Sequence, residues 1–320
     1  LEQEGIVKVT AFVLSLLIVT PVLAQREGQG GRQGGGQGAG RQAGPPATET
    51  VTPAIPGVVA AGTKVVVVKD GFRSTEGAIT MPDGSVLFTE PGAGKVHKID
   101  NAGNITLFLE GTQRANGLAL DSKGRLIATG ATTVDVLYPK GSEKTLATMP
   151  SRPNDLVVDK KDGIYFTLPS NKPPVVYYIP PGGQPMIAGE VTGPHGLTLS
   201  PDEKTLYVGD SGSAYLVAFD VQADGKLTNR RNFGKYEGIE GNASHADGVA
   251  IDSEGRVYVG IEPGVQVFDK TGKPLGLIRT SQRPQNLGFG GPDKKTLYLN
   301  GTSALFKVQM IAQGYKGRPK

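Results

Sequence analysis

The 320-residue chain contains no cysteine and no tryptophan, only four methionines and only three histidines. Without cysteine there is no disulfide framework, no thiolate nucleophile, no thiolate-held zinc or iron–sulfur cluster, and no lipobox cysteine for lipid attachment. Any metal must be held by oxygen and at most imidazole. The absence of tryptophan argues against propellers whose blades end in Trp-Asp. A dominant charge is missing as well. The 34 basic and 30 acidic residues leave a formal +4, too little on this length to direct the chain to a nucleic acid or a membrane surface. No stretch of ten or more residues reads as a convincing helix, which sets aside a doubly wound α/β fold.

Glycine is abundant, at 47 residues with 23 prolines beside it. It lacks the every-third-residue period of collagen and is unevenly placed. Residues 25–46 read QREGQGGRQGGGQGAGRQAGPP, with nine glycines and almost nothing to bury. Such a segment cannot offset its ordering entropy and reads as a flexible linker. Its arginines, Arg26, Arg32 and Arg41, have no aromatics between them, so a spacer is favoured over an RNA contact. Before it lies the apolar run VTAFVLSLLIVTPVLA at 9–24, which ends in a small-x-small pattern. This suits a signal peptide cleaved after Ala24, with an uncleaved anchor as the alternative. The expected organisation is therefore a signal at 1–24, a linker and approach segment at 25–61, one folded body at 62–312 and a flexible tail at 313–320. Export to the periplasm or the outside follows from the first of these, with no stable membrane insertion after cleavage.

Six segments share one grammar: a polar residue, an apolar run, a polar turn and a second apolar strand. They begin at Glu76, Asn116, Asn154, His195, Asp247 and Asn286, spaced by 40, 38, 41, 52 and 39 residues. DSKG, PDG, DSEG and SPDEK are hairpin turns between β-rich strands. A further strand pair follows each hairpin, so every unit supplies four strands. Six such units predict an all-β, six-bladed β-propeller with four-stranded antiparallel blades. The strand TKVVVVKD at 63–70 is placed to complete the last blade and close the ring. The long fourth interval holds an excursion over 224–244, expected as a loop beside the mouth.

In a propeller the first residue of every unit lies at one end of the central channel. Glu76, Asn116, Asn154, His195, Asp247 and Asn286 are thus expected to converge there. Asn and Asp before Gly are also good turn formers, so Asn116 and Asn286 carry a structural reading of equal weight. No turn requires carboxylates at Glu76 and Asp247, and a divalent cation is the economical way to bring two together. His195 would ligate metal, bind substrate or act as a base. His245 adds a second imidazole near the rim.

The strings RPNDLVVDKKDGIYFT, GPHGLTLSPDEKTLYVGDS, ADGVAIDSEGRVYVG and NLGFGGPDKKTLYLNG together resemble the SMP-30 (regucalcin)/gluconolactonase/luciferin-regenerating-enzyme family, over about residues 62–310. The resemblance implies one divalent metal at the mouth and hydrolysis of a lactone or similar cyclic ester. It places metal binding at Glu76 and Asp247, with Asp247 also the general base. Asn154 becomes a metal-site and substrate residue, and Asn116 a substrate residue. His195 stands where the family has an asparagine ligand, and it exchanges a hard oxygen for a borderline nitrogen. Calcium is the first expectation, with zinc, manganese or magnesium as alternatives. Arg114, Arg152 and His245 are candidates to hold a lactone or the sugar-acid product. No nucleic-acid partner is expected, and the oligomeric state reads as monomer or weak dimer. Two rival readings are an exported non-enzymatic propeller that binds a sugar-like ligand or protein, and an aryl-esterase-type hydrolase on the same frame. The second would use residues 171–181, NKPPVVYYIPP, as an apolar wall over the pocket.

Overall fold

The computed structural model describes residues 45–317. The expected signal at 1–24 and most of the glycine-rich linker lie outside the described residues. Within them the chain forms six antiparallel sheets and no helix.

Blade 1 comprises Glu76–Thr80, Val86–Glu90, Lys95–Ile99 and Ile105–Glu110, numbered from the axis outward. Blade 2 begins on Leu118–Leu120, blade 3 on Leu156–Val158, blade 4 on Pro194–Leu199, blade 5 on Val249–Ile251 and blade 6 on Asn286–Gly290. These innermost strands pack against one another in order, and that of blade 6 packs back onto that of blade 1. The circle is closed as the sequence led us to expect. Lys64–Lys69 pairs with Leu305–Gln309 and becomes the fourth strand of blade 6.

The alternation within each strand explains the core. Side chains on successive residues point to opposite faces of a blade, and both faces of an inner strand are covered by neighbouring blades. Inner strands are therefore buried almost throughout, and their apolar residues gather between blades. Phe166 and Leu156 of blade 3 meet Ile127 and Val134 of blade 2, while Tyr165 and Val176 meet Leu197 and Val208 of blade 4. The inner hairpins close through aspartates. Asp121 Oδ1 accepts from the amides of Lys123 and Arg125, and Asp252 Oδ1 accepts from those of Glu254 and Arg256. The turns then finish on Gly124 and Gly255 at positive φ, where an L side chain would be strained.

Three segments differ from the sequence expectation. The approach to the ring is packed rather than free. Thr50–Val51 adds a fifth strand to blade 6, and Ile55, Val58 and Val59 are buried in the core shared by blades 5 and 6. Pro53 and Pro56 interrupt any strand pattern there, so the strap carries no periodic signal. The described part of the C-terminal tail, to residue 317, is also held. Asp252 and Gly314 form a bridge, the Tyr315 amide donates to Ile251 O, and its hydroxyl donates to Pro201 O at 3.1 Å. Lastly, the 224–244 excursion is only partly loop, because Leu227–Lys235 is the outer strand of blade 4.

Candidate functional site

Each blade offers one residue at the mouth, fixed by the same backbone pattern. The amides of Asn116, Asn154 and Asp247 donate to the carbonyls of Thr129, Thr167 and Gly260 on the second strand of their own blades. In blade 6 the residue in that position is Gln285, whose amide donates to Asn300 O at 2.6 Å. The mouth ring is thus Glu76, Asn116, Asn154, His195, Asp247 and Gln285. Asn286, expected at the mouth, lies one step further down the channel.

The position after the mouth residue is glycine in four blades for a steric reason. A Cβ on Gly77 would collide with Asn116 O, and one on Gly196 with Asp247 O. Blades 3 and 6, which face each other across the ring, carry Asp155 and Asn286 there instead. Asn286 Nδ2 donates to Asp155 Oδ2 at 3.4 Å, so the two side chains form a floor beneath the mouth. Asp155 is fully buried. The sequence reading missed it, although its signal was present: a carboxylate where four of six repeats have glycine.

A second pattern supports the ring from outside. Thr89, Thr129 and Thr167 lie at or next to the ends of the second strands of blades 1 to 3. Each hydroxyl donates to the carbonyl of the next blade's mouth residue, Asn116, Asn154 and His195, at 2.8, 2.6 and 2.6 Å. The mouth residues are therefore fixed by their backbones, and their side chains are left to the channel.

Four side-chain oxygens are conspicuous. Glu76 Oε2, Asn116 Oδ1, Asn154 Oδ1 and Asp247 Oδ1 are buried, and none accepts a hydrogen bond from the protein. They come from four different blades at one level. The opposite oxygens of the two carboxylates are held: Glu76 Oε1 accepts from Gln285 Nε2 at 3.1 Å, and Asp247 Oδ2 accepts from Arg283 Nη1 at 3.1 Å. Burial pushes Glu76 well above the usual carboxylate range. The charges of Asp247 and Asp155 push the same way, while Arg283 and Arg152 oppose them. Burial also raises Asp247, with His195 and Arg283 drawing it down and Asp155 adding to the rise. Three acidic groups thus share one desolvated space, which is costly without a compensating cation.

This donor set fits a hard divalent ion, since carboxylate and amide oxygens are the ligands such ions prefer. Among the described residues no three His, Asp or Glu side chains form a metal-holding group, so amide oxygens would be needed to complete a site. His195 Nδ1 lies 3.2 Å from Gly193 O. A carbonyl can only accept, so Nδ1 carries a hydrogen in this contact.

The other candidates divide. Arg152 is half-buried and acts on Glu76, whereas Arg114 is exposed on a turn at positive φ. The His245 side chain is exposed, and it is the His245 backbone carbonyl that accepts from Arg283 at 3.1 Å. Arg283 and Gln285, both in contact with the carboxylates, were not foreseen. The expected apolar wall at 171–181 is not one, because Val175–Ile179 is the third strand of blade 3 and packs between blades. A groove of about 360 Å³ between blades 6 and 1, lined by Lys64, Asn101, Asp293 and Lys307, contains none of the mouth residues.

Comparison with known proteins agrees with this architecture. The SMP-30/Gluconolactonase/LRE-like region matches residues 74–304. A gluconolactonase of Zymomonas mobilis is 25% identical over 301 residues, covering 81% of this chain and 84% of its own. The lactonase Drp35 of Staphylococcus saprophyticus is 27% identical over 277 residues, covering 77% and 79%. Among solved structures, a gluconolactonase from Xanthomonas campestris superposes with a TM-score of 0.72 at 25% identity, covering 84% of this chain and 96% of its own. A calcium-binding regucalcin from Agrobacterium tumefaciens gives 0.69 at 17% identity, covering 79% and 96%, and so shows the shared fold. The chain belongs to the SMP-30/gluconolactonase/LRE-like family, and it is a hydrolase.

Proposed function

We propose that this protein opens a sugar lactone or similar cyclic ester at the mouth of the ring, with a divalent cation held by Glu76, Asp247, Asn154 and Asn116. The observation that carries the proposal is the set of four buried oxygens, from four blades, that no protein donor satisfies. Calcium is the first choice of ion, because all four donors are oxygen and the ligand number is open to water. When bound, the ion would supply Lewis-acid polarisation of the ester carbonyl.

The chain's own residues perform the rest. Asp247 takes a proton from the attacking water as the new C–O bond forms. The ring C–O bond then breaks, and the same proton returns to the departing ring oxygen, leaving a hydroxy acid. Arg283 keeps Asp247 aimed through its bond to Oδ2. Asn154 and Asn116 orient the lactone, and Arg152 favours the carboxylate of the product as it forms. No G-x-S-x-G elbow occurs in the sequence, so no covalent nucleophile is invoked.

A panel of sugar lactones and aryl esters, assayed on chelator-treated and metal-reloaded protein, tests this. Turnover of at least one lactone is expected to need metal and to fall at least about 100-fold in Asp247→Asn, as for loss of a general base. Preference for aryl esters would move the substrate class. Absence of metal-dependent turnover on every ester would leave the non-enzymatic binding module.

A further inference from the structure

We infer that Gln285, aimed by Ser74, is a positioning residue that fixes which oxygen of Glu76 faces the metal site. This rests on the metal reading of the mouth given above. It assigns a role to the mouth residue whose side-chain amide donates to Glu76.

The geometry is a relay of two hydrogen bonds. Ser74 Oγ donates to Gln285 Oε1 at 3.2 Å, which sets the amide so that its Nε2 faces away from the serine. Nε2 donates to Glu76 Oε1 at 3.1 Å. Glu76 Oε1 is thereby occupied, and Oε2 is the oxygen left buried without a donor. An amide free to flip would present Oε1 to the carboxylate in half of its orientations, and two acceptors would then repel.

Both ends of the relay are anchored. The Gln285 amide donates to Asn300 O, and its carbonyl accepts from Gly248 N at 2.9 Å, tying it into blades 5 and 6. Ser74 sits at φ 100°, an unusual conformation for a residue with a side chain. Its neighbours hold it there. Phe72 N donates to Ser303 O, Arg73 N donates to Glu90 Oε1, and Thr75 Oγ1 donates to Gly301 O at 2.8 Å. Glu90 is in turn paired with His97 at 2.8 Å, and that ring stacks on Phe88. Glycine would adopt the Ser74 backbone without strain but would lack the hydroxyl. Strain kept at a residue that contacts the site is the pattern expected of a functional constraint.

The test is calorimetric titration of chelator-treated protein with Ca²⁺ alone, and with Mn²⁺ as a second probe, on wild type, Gln285→Leu, Ser74→Ala and the double variant. Glu76→Gln is the control, and thermal midpoints identify any variant that fails to fold. Gln285→Leu is expected to weaken binding roughly 10- to 100-fold, the usual cost of losing a partner behind a ligand. Ser74→Ala is expected to weaken it less, and in the double variant to add nothing to Gln285→Leu, because it acts through that amide. Additive losses would overturn the relay, as would unchanged affinity in Gln285→Leu while Glu76→Gln binds poorly. If wild type binds neither ion, the metal reading itself fails and the relay falls with it. Ser74→Ala alters no core contact, so it keeps the test open should Gln285→Leu misfold.

Discussion

At the scale of single residues, the site is defined by which oxygens are held and which are left. Arg283 illustrates the point. It bonds Asp247 Oδ2 and the carbonyl of His245, and its side chain is partly exposed, so it contributes little to the core. Arg283→Met should therefore lower kcat/KM for the preferred lactone about 10- to 100-fold, with only a modest fall in the thermal midpoint from the Asp247 charge it leaves uncompensated. Parallel steady-state assays and thermal melts of the variant check this. A large fall in the midpoint with intact turnover would make Arg283 structural. The carboxylates Glu76 and Asp247 were legible in the sequence because nothing in an EG or DG turn calls for an acid. Arg283 was not, because it lies outside the repeated grammar, on the loop between blades. At His195 the fold commits Nδ1–H to Gly193 O and leaves Nε2 for further chemistry.

At the scale of elements, the hairpins were readable because their period of two and their Asp/Gly turns agree. Blade 6 shows where that reading slips. Its segment is Gln285-Asn286-Leu287, with no glycine after the mouth residue, so the asparagine that resembles the other repeats is one position off. The collision that forces glycine into four blades is a property of neighbouring strands and is visible only once they are packed. The strap before the ring is a second case. Ile55 is 1% exposed and packs beside Gly276, yet it belongs to no blade strand and follows no alternation. Ile55→Ala should cost about 2–5 kcal/mol of stability, the range for truncating a buried aliphatic side chain. Denaturant unfolding measures it. Turnover of the folded variant should match wild type, since Ile55 touches no mouth residue. An effect below about 1 kcal/mol would show that the strap is dispensable to the ring.

At the scale of the whole molecule, the ring brings residues 209 positions apart into one hydrogen bond, as between Gln285 and Glu76. Closure makes this possible. The strand Lys64–Lys69 completes blade 6, so the first and last units of the chain hold each other in register. Six blades of near-equal length place six side chains at one level, and the fold asks nothing specific of them. Four of the six present an unsatisfied oxygen. We propose that these oxygens hold one divalent cation on which activity depends. Metal content after equilibrium dialysis of the purified chain against Ca²⁺ tests it most directly, with Glu76→Gln and Asp247→Asn dialysed alongside. One tightly held ion per wild-type chain is expected, with a marked loss in both variants. An ion content equal to that of the dialysis buffer, or one unaffected by either substitution, would contradict it.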